Sequence, residues 1–166
     1  MAILVTGGAG YIGSHMVYEL ADAGEQVVVL DNLSTGFQWA VAEDVPLIVG
    51  ETGDQTLVGR IIREYGIDSI IHFAASVVVP DSVRDPLAYY RNNTSNSRAL
   101  IECAVNCGIK HLIFSSTAAV YGNPGDTPVA EDAPTLPISA YGWSKLMTEI
   151  MLHDTCRALA AVAPVG

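Results

Sequence analysis

The sequence predicts an α/β fold, a doubly wound parallel sheet with helices on both faces, and three observations carry that prediction. Short β-branched runs alternate with longer stretches of helical periodicity. The runs are apolar throughout instead of alternating with polar residues, which marks strands covered on both faces. Glycine or proline punctuates most changes from one pattern to the other. Right-handed crossovers then give a sheet whose ligands sit at the carboxyl ends of its strands.

Ala2–Thr6 reads as the first strand, and Tyr11–Ala23 as a helix ended by Gly24. Gln26–Asp31 is a second strand, and residues 46–49 form a short third one. Residues 54–65 are helical up to Gly66, and residues 69–73 are again a strand. One long helical region is expected from about Ser82 to Cys107, ended by Gly108. His111–Ser115 is the next strand, residues 121–137 a Gly/Pro-rich loop, and Ser139 to about Ala158 the last helix.

A chain of 166 residues builds one sizeable core. Half of the residues are hydrophobic and 16% are charged, far from the profile of a disordered chain. No apolar run approaches the ~20 residues that span a bilayer, and the start, Met1-Ala2-Ile3-Leu4-Val5-Thr6, has no basic segment before an apolar one. The three cysteines, Cys103, Cys107 and Cys156, cannot all pair. They read as reduced core residues, with no metal site, in a cytoplasmic protein. A net charge of −10 argues against nucleic acid and anionic membrane as partners. An anion held by a helix N-terminus is still compatible with it.

Between the first strand and the first helix lies Thr6-Gly7-Gly8-Ala9-Gly10-Tyr11-Ile12-Gly13, with glycines at the spacing GxxGxxG. Gly7 permits a tight turn, Gly10 a close approach of backbone to a pyrophosphate, and Gly13 close packing of helix on sheet. The N–H groups of Tyr11 and Ile12 then open the helix toward the phosphates. Asp31, at the end of the second strand, is placed to accept hydrogen bonds from ribose hydroxyls and to repel a 2′-phosphate, which favours NAD over NADP. Asp54 stands where such folds contact the adenine, with helix capping as the alternative. Phe73-Ala74-Ala75 supplies small residues for a backbone lying against a dinucleotide, or for ordinary close packing.

Tyr141-Gly142-Trp143-Ser144-Lys145 puts a phenol and an ammonium at i and i+4 on one helical face. An ammonium beside a phenol favours the phenolate, and with it general-base chemistry. The pair follows a strand whose end carries the hydroxyls Ser115-Ser116-Thr117, one of which could relay a substrate proton. Capping of the strand end is the alternative for that run.

Taken in order, the glycine loop, Asp31, the strand-end hydroxyls and Tyr-x-x-x-Lys resemble the short-chain dehydrogenase/reductase superfamily. The finer motifs resemble its UDP-glucose 4-epimerases. They are residues 6–15, Asp31-Asn32-Leu33-Ser34-Thr35-Gly36, Pro86-Leu87-Ala88-Tyr89-Tyr90-Arg91-Asn92-Asn93, and Ser115-Ser116-Thr117-Ala118-Ala119-Val120-Tyr121-Gly122. The resemblance runs from residue 2 to about residue 157. It implies a Rossmann-type NAD-binding domain over 1–158, followed by a short tail, 159–166, that no longer resembles the family.

It further implies Tyr141 as acid/base, Thr117 as its hydroxyl partner and Lys145 as the ribose-binding cation. Asn32, Ser34, Gly36, Asn92 and Ser115 would line the cofactor. A lysine that some members carry after the fourth strand is Val77 here, so that contact is not expected. The implied reaction is epimerisation at carbon 4 of a UDP-hexose through a transient 4-keto sugar, with NAD regenerated in each cycle. Relatives that dehydrate the sugar place Asp-Glu after the threonine, and Ala118-Ala119 stands there in this chain.

Family members are considerably longer, and their later half supplies further strands and a smaller domain that holds uridine and sugar. The isolated chain is therefore expected to keep its NAD-site residues but to turn over UDP-galactose poorly. The helices at 82–107 and 139–158 form the dimer interface in the family, which implies a homodimer. Another NAD-dependent nucleotide-sugar oxidoreductase or epimerase, and a non-catalytic NAD-binding module, are the alternatives.

Overall fold

The computed structural model describes residues 1–125 and 128–162, with side chains in the last helix as far as residue 160. The expected tail beyond residue 162 lies outside the described residues. Two compact units are present. One comprises Met1–Ala75 with Ala99–Ser115. The other comprises Ser76–Arg98 with the chain from Ser116 onward.

In the first unit, strands β1 (Ala2–Thr6), β2 (Gln26–Asp31), β3 (Leu47–Val49), β4 (Ser69–His72) and β5 (His111–Phe114) form a parallel sheet in the order β3-β2-β1-β4-β5. The expected parallel sheet is what forms. The strand order reverses direction at β1, so the crevice outside the ends of β1 and β4 is the switch point where such sheets take ligands. Apolar runs become strands here because both faces are covered. Leu4, Val28, Leu30 and Ile70 pack on one side with Val58, Ile61 and Leu100. Ile3, Val5, Val27, Val29 and Ile71 pack on the other with Ala9 and Val17.

Helix α1 (Tyr11–Asp22) and helix α2 (Gln55–Tyr65) lie within one residue of the predicted bounds, Ala23 and Asp54 being caps instead of helical residues. Gly66, at φ 62°, terminates α2 in the left-handed conformation that glycine adopts without strain. A short 3-10 turn, Gln38–Ala40, lies in the connection between β2 and β3.

The long helix expected over 82–107 is instead four consecutive pieces: α3 (Val79–Arg84), α4 (Pro86–Tyr89), a π-helical segment Tyr90–Ser95, and α5 (Asn96–Asn106). The first break is Pro86, which has no N–H to donate and pushes its predecessor out of the helical region. Asp85 accordingly sits at φ −134° and caps α4, its Oδ1 accepting Ala88 N at 3.1 Å. The π segment coincides with Asn93, a buried amide tied to residues far away in sequence.

In the second unit a 3-10 helix, Ala118–Tyr121, precedes the loop, and α6 spans Ala140–Val162, past the expected end near Ala158. No described helix is long and apolar enough to cross a membrane.

Candidate active site

In the first unit the glycine loop is built as its spacing predicts. Gly7 adopts φ +74° and donates its N–H to Leu30 O at 2.9 Å. A Cβ on Gly7 would lie 2.6 Å from Ala74 N, and one on Gly13 would lie 2.1 Å from Gly7 O. Both positions therefore exclude any larger residue. Gly10 donates to Gly7 O at 3.1 Å and takes the N-cap position of α1 without a side-chain cap. The first N–H groups of a helix have no intrahelical acceptor, so those of Tyr11 and Ile12 open the helix uncapped by any side chain. Their side chains are exposed, and Tyr11 sits edge-on to His15 at 5.0 Å.

Asp31 is buried beside this loop. One carboxylate oxygen accepts Ala9 N at 3.0 Å and the other accepts Leu33 N at 2.8 Å. Each oxygen has a lone pair to spare, so the carboxylate is oriented by backbone and can still receive hydroxyls. Asn32 Oδ1 accepts Ser34 N at 3.0 Å, and Gly36 approaches Ala9 so closely that a Cβ would lie 2.9 Å from its carbonyl carbon. The stretch from Asn32 to Gly36 is thus folded onto the glycine loop.

Asp54 caps α2 through Leu57 N at 3.0 Å, the role that its hydrogen bond fills. Phe73, Ala74 and Ala75 follow the end of β4, with Phe73 N donating to Thr6 O at 2.9 Å. Ser115 is half-buried just beyond β5, its N–H on His72 O at 3.1 Å.

The second unit holds Thr117, Tyr141, Lys145 and Asn92. Tyr141 and Lys145 lie one turn apart at the start of α6, and both are buried, Lys145 to 3% exposure. Burial lowers the Lys145 ammonium from its ordinary range to about 8. A lysine so enclosed is rare unless a site requires it. Thr117 caps the 3-10 helix through Ala119 N at 3.2 Å. The carbonyl of Ala119 stands where a Cβ on Gly142 would lie only 2.7 Å away, so the glycine beside Tyr141 lets the strap of residues 116–119 reach α6. Asn92 donates to Ser76 Oγ at 2.8 Å. The sequence-predicted catalytic residues therefore share one unit, and the residues of the glycine loop and of Asp31 share the other. Val77 is exposed.

The model of the NAD dependent epimerase/dehydratase family matches residues 3–164. The chain belongs to that family. It is 54% identical over 152 residues to a UDP-glucose 4-epimerase of Azospirillum brasilense, covering 92% of this chain and 44% of that protein. It is 47% identical to one of Lacticaseibacillus casei, covering 98% and 50%. Among solved structures, UDP-glucose 4-epimerase from Brucella ovis in complex with NAD superposes with a TM-score of 0.91 at 42% identity, covering 95% of this chain and 48% of that one. The Thermotoga maritima enzyme with UDP-glucose gives a TM-score of 0.90 at 37% identity, covering 95% and 52%. The chain spans about half the length of the curated relatives it matches.

Several polar side chains to which the sequence gives no role are enclosed in the fold. Asn93, 2% exposed, gives and takes hydrogen bonds with Ser76 O (2.9 Å) and Ser76 N (2.8 Å), and donates to Ser144 Oγ at 3.0 Å. Ser144 Oγ in turn donates to Tyr141 O at 2.7 Å, while its own carbonyl accepts Thr148 Oγ1 at 3.1 Å. The polar residue type at a core-facing helical position was the available signal. Tyr89, donating to Val78 O at 2.6 Å, is held above the usual phenol range by burial. Cys103 is likewise pushed up to about 11 by burial and by the Cys107 thiol. The three cysteines are free, but only Cys103 is a core residue as expected: Cys107 is half-buried and Cys156 exposed. The described residues contain no cluster that could hold a metal.

Proposed function

We propose that this chain is the cofactor-binding and acid–base portion of an NAD-dependent UDP-hexose 4-epimerase. The observation that carries the proposal is the buried Tyr141–Lys145 pair on α6, with the Thr117 strap pressed onto the same helix. The names of the relatives support it.

The residues present fit a dinucleotide. The α1 N-terminus has no side-chain cap, the glycines leave no room for a Cβ, and Asp31 is oriented by two backbone donors. Gly7, Gly10, Tyr11, Ile12 and Gly13 would take the pyrophosphate. Asp31, Asn32, Ser34 and Gly36 would take the adenosine ribose, and Phe73, Ala74, Ala75, Asn92, Ser115, Tyr141 and Lys145 would complete the set. Asp31 selects NAD over NADP by charge. When bound, NAD supplies the acceptor and donor of hydride.

Tyr141 takes the proton of the sugar's 4-hydroxyl as the carbon–hydrogen bond breaks, which yields a 4-keto sugar and protonated Tyr141. Thr117 hydrogen-bonds the same oxygen and passes the proton. Lys145 keeps positive charge near the phenol at neutral pH, since about 8 still lies above that range. After the sugar has turned over, return of the hydride from NAD to the other face of carbon 4, with the proton returned from Tyr141 to its oxygen, would complete the epimerisation without net redox change. Ala118-Ala119 after Thr117 provides no acid to expel a 6-hydroxyl.

We place the protein in the cytoplasm, in line with its free thiols, and as a homodimer through residues 82–107 and 139–158. Val83 and Leu87, and on α6 Trp143, Met147 and Ile150, expose apolar surface on those segments. The test is titration calorimetry of the chain with NAD and NADP, followed by incubation with UDP-galactose and separation of the sugars. Binding of NAD with rejection of NADP is expected. Failure to bind either cofactor overturns the proposal.

A further inference from the structure

Ser116 is the member of the strand-end hydroxyl run to which neither the motif nor the proposed reaction gives a task. Its Oγ donates to Oε1 of Glu149, and both side chains are partly buried. Glu149 follows Lys145 by four residues and Tyr141 by eight, so the three polar side chains recur at four-residue steps along α6. A hydroxyl donating to a carboxylate makes a charge-assisted bond, roughly twice as strong as a neutral one.

The same two elements also pack closely further along. The carbonyl of Ala119 lies where a Cβ on Gly142 would be 2.7 Å away. Residue 116 is thus bonded to 149 while residue 119 packs at 142, so the strap runs antiparallel to the helix. Thr117, extended at φ −157° and ψ 148°, lies between the bond and this contact, which bracket its place along α6.

We propose that Glu149 is a positioning residue for Thr117, acting through Ser116. Removing the carboxylate frees one end of the strap and lets the Thr117 hydroxyl drift along α6. The inference rests on the reading of Thr117 as the partner of Tyr141, because only then does its register matter to the reaction.

The test uses the chain itself without substrate. Threonine is labelled with 13C at its methyl group, the Thr117 signal is assigned by its loss in Thr117→Ser, and exchange of the Ala119 amide is followed alongside. That amide donates to Thr117 Oγ1 at 3.2 Å. Glu149→Ala and Ser116→Ala are expected to move the Thr117 methyl signal alike and to speed Ala119 exchange about tenfold. The double variant should add nothing further, and Glu149→Gln, which keeps the acceptor oxygen, should restore the parent signal. An unmoved Thr117 signal with unchanged Ala119 exchange in Glu149→Ala, whatever happens to its melting temperature, overturns the proposal. Should Glu149→Ala fail to fold, Ser116→Ala with Glu149→Gln gives the same decision. Failure of the epimerase reading would appear elsewhere, as absent NAD binding, and leaves these signals untouched.

Discussion

The two units of this protein build their sites from different materials. In the first, backbone does the work: glycines, the amides that open α1, and a carboxylate aimed by Ala9 N and Leu33 N. In the second, side chains are buried at a cost. An ammonium, a phenol, an amide and several hydroxyls are enclosed within and around α6. The contrast teaches where each part is fragile. The glycine loop of the first tolerates almost no added volume, whereas the buried Lys145 of the second tolerates an apolar replacement and loses only its chemistry.

The largest expected effect therefore falls on the first unit. Gly13→Ala drives a Cβ to 2.1 Å from Gly7 O and should destabilise the chain by roughly 3 kcal/mol or more in urea unfolding. Gly24→Ala meets no atom within 4 Å and bears only the strain of φ +79°, so its expected cost is about 1 kcal/mol. Equal effects of the two would show that the glycine loop is no more crowded than the open turn at Gly24.

The next effect falls on the second unit and has the opposite sign. Burial lowers the Lys145 ammonium to about 8, so below that pH the folded state carries a proton it holds less tightly than the unfolded chain does. Stability from this group is missing at neutral pH and returns as pH rises from about 8 toward the unfolded value of 10.5. Lys145→Met should then be more stable than the parent at pH 7 by up to about 3 kcal/mol. The gap should close as pH climbs through that window, as chemical denaturation at a series of pH values will read.

Asp31→Asn keeps the backbone contacts in part but removes the charge. It should weaken NAD about tenfold and narrow the preference over NADP, measured by calorimetry. The smallest effect is expected at Asp54→Ala, with loss of a helix cap near 1 kcal/mol and no change in NAD affinity. A fall in affinity there would assign Asp54 to the adenine instead.

The same contrast explains what was legible in the sequence. The strands around Leu4, Val28 and Ile70, the glycine loop and the Asp31 carboxylate follow from local spacing, because period and turn chemistry act over a few residues. Tyr141 and Lys145 were legible as a pair for the same reason. The π segment was not, since it accompanies Asn93 bonds to Ser76 and to Ser144, 51 residues away. The Ser116–Glu149 tie spans 33 residues, and no periodicity announces it. Pro86, by contrast, was a readable breaker inside the region taken as one helix.

The most direct test of the central claim is NAD titration calorimetry on the parent chain and on Lys145→Met at neutral pH. The variant, although the more stable protein, is expected to bind NAD at least about tenfold more weakly. Equal affinity in the two proteins would contradict it and leave Lys145 without a part in holding the cofactor.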